Sequence, residues 1–105
     1  MVGFCDGESR EHARDVNSHV LDREIRSSLS YIVNLLHTRH SHPTYGITKA
    51  SLNAAVHRAE GLLVARMILN GVVNNFNTNG NPVNRYAADH FDVDLEDLKG
   101  QVKNA

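Results

Sequence analysis

The chain has 105 residues, 41% of them hydrophobic and 22% charged, with a formal net charge of −1 and a single cysteine. That size predicts one domain with a thin core, to which self-association or a partner could add stability. The lone Cys5 excludes an intramolecular disulfide and points to a reducing intracellular compartment such as the cytoplasm, or to the inside of a viral assembly.

The start, MVGFCDGESREHARD, has no apolar stretch of the signal-peptide kind. The most apolar window, GLLVARMILNGVV at 61–73, includes Arg66 and Asn70 and is too short and too polar to span a bilayer. No membrane partner is therefore expected.

From about 9 to 37, Ala13, Val16, Val20, Ile25, Leu29, Ile32 and Leu36 recur at helical spacing and build one apolar stripe. Ser9 is the expected N-cap. A connection at 38–47 follows, broken by Pro43 and Gly46.

A second long helix is expected from about 48 to 75, starting near Thr48 or Lys49. In its first half Leu52, Val56, Ala59 and Leu63 face inward, opposite Lys49, Asn53, His57 and Glu60. In its second half the apolar residues go all round, which demands cover on all sides. One neighbouring helix cannot supply that cover, so either more helices or another subunit must. Leu62, Val64, Met67, Ile68, Leu69 and Val72 are accordingly the expected interface to another subunit or partner protein. Gly61 and Gly71 read as marks of close helix approach, and Arg66 as an edge residue that snorkels to water.

A turn-rich connector at 76–82 and a short helical pair at about 83–103 complete the chain. The expected fold is all-α: two long antiparallel helices plus a C-terminal helical pair, within one domain over residues 1–105.

The charges are segregated. Residues 1–24 carry a net −3, residues 25–88 a net +5 with four of the seven histidines, and residues 89–105 a net −3. Such a layout attracts an anionic partner or organises head-to-tail association, unless the acidic ends fold back on the basic middle.

LLHTRHSHPTYGITK, residues 35–49, holds three histidines, Arg39 and Lys49 with no acid. His37, His40 and His42 are of the type that zinc or nickel takes, but their spacing is poor for convergence and no metal or cofactor is expected. Arg39, His40, His42 and Lys49 are better placed for an anion, since they surround the start of a helix, where free N–H groups favour negative charge. Thr44, Tyr45, Thr48 and Ser51 could add hydroxyl bonds to a phosphate or carboxylate. The competing reading is that these cations terminate the preceding helix.

In YAADHFDVDLEDLKGQV, residues 86–102, Ala88 is the small residue and Phe91, Val93, Leu98 and Val102 the apolar positions that resemble a helix-turn-helix core. The resemblance covers about seventeen residues. It departs from the family at Asp92, where glycine commonly makes the turn. Asp94, Glu96 and Asp97 would open the recognition helix and repel phosphates, so protein contact is the expected use of this pair. Finally, Arg85 and His90 have a spacing found in some all-helical ribonucleases, where arginine would hold phosphate and histidine move a proton.

The leading expectation is a small non-enzymatic interaction or assembly module. It would associate with itself or a protein partner through the apolar half of the second helix, as a component of a larger assembly or as an inhibitor. A nucleic-acid or phosphate binder using the basic connection is the alternative, and a ribonuclease using Arg85 and His90 the third.

Overall fold

A computed structural model describes the backbone of residues 7–73 and 81–105 and the side chains of residues 18–73 and 82–105. Among the described residues the chain is all-helical, with four α-helices and no strand. They are α1 (Gly7–Ser41), α2 (Lys49–Leu69), α3 (Asn81–Phe91) and α4 (Leu95–Lys103), with one 3-10 turn at Pro43–Tyr45. At about 1.5 Å per residue the 35 residues of α1 span roughly 52 Å, so this helix sets the long dimension of 54 Å.

The first helix starts before Ser9 and runs past His37, so Ser9 lies inside it and not at its cap. Nothing between Thr38 and Ser41 breaks a helix. The His42 amide still bonds the Thr38 carbonyl at 2.7 Å, and the pattern stops only at Pro43, which has no N–H to donate. Gly46, at φ 73°, then reverses the chain. The second helix starts at Lys49, within the expected bounds, and Thr48 caps it, its hydroxyl accepting from the Ser51 amide at 3.1 Å.

The second helix ends at Leu69, short of the expected residue 75. Gly71 adopts φ 73° and donates to the Ile68 carbonyl at 3.0 Å, while the Val72 amide reaches the Met67 carbonyl at 2.8 Å. That pair of bonds is a Schellman termination. The two glycines do not mark close approach: a Cβ built on Gly61 or Gly71 would meet nothing within 4 Å. The connector at 74–80 lies outside the described residues, and α3 is already helical at Asn81 and Pro82, with proline in the first turn where its missing donor costs nothing.

One core draws on all four helices, including Ile25, Leu29 and Ile32 of α1, Leu52, Ala59, Leu63 and Met67 of α2, Val83 and Ala87 of α3, and Leu95, Leu98 and Val102 of α4. Of the expected α1 stripe, Ala13 and Val16 lie outside the described side chains, and Val20 is exposed. The five-residue step from Val20 to Ile25 explains the last point, because it turns the side chain about 140° away from the stripe.

The apolar half of α2 is covered mostly by its own chain. Val64 and Met67, expected at an interface with another molecule, are 4% and 1% exposed inside the core. Leu62, Ile68 and Leu69 are half-buried, and of the six only Val72 is exposed. Of the two kinds of cover expected, more helices or another subunit, the chain supplies the first: α1, α3 and α4 all pack on α2.

The turn between α3 and α4 uses Asp92 at φ 54°. Asp94 then caps α4, its carboxylate accepting from the Asp97 amide at 3.0 Å. Ala88 is exposed, and Ala87 takes the buried small-residue place expected of it. Phe91, Leu98 and Val102 are buried and Val93 partly so.

Candidate functional site

Three surfaces carry enough chemistry to consider. The first is the basic connection. Arg39 donates to the Ile47 carbonyl and, at 3.4 Å, to that of Ala105. Lys49 donates to the Lys103 carbonyl at 2.6 Å. Both cations thus sit at the C-terminal end of α4, where free carbonyls and the helix dipole favour positive charge. The Thr48 and Ser51 hydroxyls bond each other at 3.0 Å within the α2 cap. His40 is exposed, and His42 stacks on Tyr45 with ring centroids 5.0 Å apart. Among the described residues no three His, Cys, Asp or Glu side chains gather as a metal ion would require.

The second is a polar chain across three helices. Arg66 donates through Nε to Asp22 of α1 at 2.6 Å and through a terminal nitrogen to the Asn70 side-chain oxygen. The Asn70 amide in turn donates to the Tyr86 hydroxyl of α3 at 2.8 Å. Arg66 is therefore a tethered residue and not a free edge cation. Burial of Tyr86 pushes its phenol above the ordinary 10.0 and nearby Asp22 adds to the rise, while the Arg66 charge and the Asn70 bond oppose it. Every member has a structural partner, which makes this a brace between helices.

Arg85 and His90 are not brought together. Arg85 lies 3.9 Å from Asp89, whereas the His90 ring rests against Tyr86 with centroids 4.2 Å apart. Five residues along a helix separate two side chains by about 140°.

The third is a groove of about 600 Å³ between α1 and the turn joining α3 to α4. Leu29 and Val33 form one wall, Phe91, Val93 and Leu98 the other, and Asp94 and Asp97 stand at its edge. Arg26 lies over the Phe91 ring at 5.2 Å from the centroid, a cation–π distance that holds this end of the wall. Val33 is 52% exposed, a large apolar residue left open at the groove.

The sequence singles out Phe91, Val93 and Leu98 as packing positions of the helical pair, not as groove residues, and gives no such place to Arg26 or Val33. The available signal was Val33, four residues after Leu29 and outside the main stripe, which widens the apolar face of the first helix there. A second cleft, of about 740 Å³, lies where the end of α1 meets α4 and is lined by Leu36, Arg39, His40, Asp97, Gln101 and Asn104 among others. Its mixed polar lining defines no single ligand chemistry.

No family model, curated protein or solved structure matches this chain. Among the described residues no helix is long and apolar enough to cross a membrane.

Proposed function

We propose that this chain is a non-enzymatic protein-interaction module: an antiparallel pair of long helices with a short helical pair laid across it, docking a partner in the groove between α1 and the α3–α4 turn. The observation that carries the reading is the open apolar wall at Val33, beside Leu29 and Phe91 in a cavity of about 600 Å³. Grooves of this kind between helices receive the apolar face of an amphipathic segment. A subunit of a larger assembly or a small inhibitor would use such a surface.

Selection of a displayed library of short helical peptides tests this. Peptides enriched on the wild-type chain should lose binding to Val33→Asp, a change at a half-exposed position that leaves the helix content unaltered. Equal enrichment on both proteins, or none on either, would remove the groove from consideration. Light scattering tests the choice of surface. A mass that rises with concentration and falls back in Leu69→Asp would return the interface to α2.

A further inference from the structure

Eight acidic side chains lie among the described residues, and they divide cleanly. Asp22 pairs with Arg66, Glu24 with Arg58, Glu60 with Lys99 and Asp89 with Arg85. Asp92, Asp94, Glu96 and Asp97 are all exposed, and none of them forms an ion pair with a described residue. All four fall within the six positions 92–97, from the turn before α4 into its first turn. The positive end of a helix dipole accounts for acids there, but half a unit of partial charge does not balance four carboxylates. Among the described residues Asp94 and Asp97 accept from neutral donors, the Asp97 amide and the Gln101 side chain.

Two of the four, Asp94 and Asp97, line the apolar groove. We infer that the groove's occupant is a cationic amphipathic helix of another protein, with leucine- or phenylalanine-like side chains entering between Val33 and Phe91 and lysines or arginines along its α4 side. The inference rests on the groove being the docking surface. It adds the partner's charge and orientation. Arg26, on the opposite side above Phe91, repels cations and so directs the partner's basic edge towards α4. Complementary charge of this sort sets specificity and encounter rate, and it acts over the roughly 8 Å screening length of physiological salt.

Fluorescence anisotropy with three labelled helical peptides decides the matter. All share one leucine and phenylalanine face, and their flanks carry lysine, glutamine or glutamate. The full chain should bind the lysine peptide tightest and the glutamate peptide weakest. Asp94→Asn with Asp97→Asn should lower the lysine peptide's affinity about 2- to 10-fold and flatten its salt dependence. Asparagine keeps the cap, so α4 stays folded. Val33→Asp should abolish binding of all three.

Equal binding of the lysine and glutamine peptides, both lost in Val33→Asp, would overturn the charge inference and leave the groove reading standing. A lysine peptide that binds Val33→Asp as well as wild type would overturn both, since it would then be held by surface charge alone. No binding of any peptide would overturn the inference.

Discussion

The side-chain amide of Asn70, the residue that closes α2, donates to the hydroxyl of Tyr86 on α3 at 2.8 Å. This bond joins the helices on either side of residues 74–80, and Tyr86 is only 7% exposed. Replacing Tyr86 with phenylalanine should cost about 1 kcal/mol in urea unfolding, the usual worth of a hydrogen bond whose partner is left behind. A pH dependence goes with it. The folded-state phenol is raised above its unfolded value of 10.0, so its contribution is complete below pH 10 and is lost as pH climbs through the raised value. Stability followed upward from pH 10 should fall less steeply in Tyr86→Phe than in wild type.

Arg66 and Asp22 bond at 2.6 Å, with the arginine side chain the more buried of the two. Arg66→Met should cost about 1.5–3 kcal/mol, because it strands a half-buried carboxylate and unties Asn70. Adding Asp22→Leu should recover much of that loss, as replacement of a whole ion pair by apolar side chains often does. A double-mutant cycle by denaturant unfolding measures the coupling. Strict additivity would show that the contact contributes nothing.

Asp92 is the one non-glycine residue at positive φ among those described. Asp92→Gly should raise stability by about 0.5–1 kcal/mol, and Asp92→Val should lower it by about 1–2 kcal/mol, since a branched side chain clashes in the left-handed region. Gly71→Ala should be destabilising by about 1–2 kcal/mol for the same reason, although space for the methyl group is free. Thermal melts of the three variants check all three signs.

Arg39 and Lys49 hold carbonyls at the end of α4. Arg39→Ala and Lys49→Ala should therefore speed amide exchange in the last turn of α4 while leaving the centre of α2 protected. Steeply salt-dependent nucleic-acid binding, lost in the double variant, would instead support the anion reading of the basic connection.

Much of the architecture was legible in the residues. Thr48 before an amphipathic run fixed the start of α2, and Pro43 and Gly46 placed the break after α1. Asp92 stands where glycine commonly makes the turn, and it takes the left-handed backbone that aspartate tolerates. The end of α2 was misread because Val72 and Val73 prolong the apolar pattern past Gly71, and periodicity cannot see a chain reversal. Burial of Val64 and Met67 within the chain was hidden for another reason. It depends on helices distant in sequence packing on α2, a long-range event that leaves no local trace. The acidic ends were weighed as folding back on the basic middle. Asp22 and Glu24 do so, whereas Asp92, Asp94, Glu96 and Asp97 do not. The groove was invisible because its two walls are some sixty residues apart in sequence.

A rod that is greasy on every side has no preferred rotation about its own axis, and the second half of α2 comes close to that condition. The tether from Asp22 through Arg66 and Asn70 to Tyr86 works as a key in a slot, admitting one angular setting and one sliding position. The variant carrying both Asp22→Leu and Arg66→Met should then keep its melting point while its methyl resonances multiply, the mark of a helix that has become free to choose among several seats.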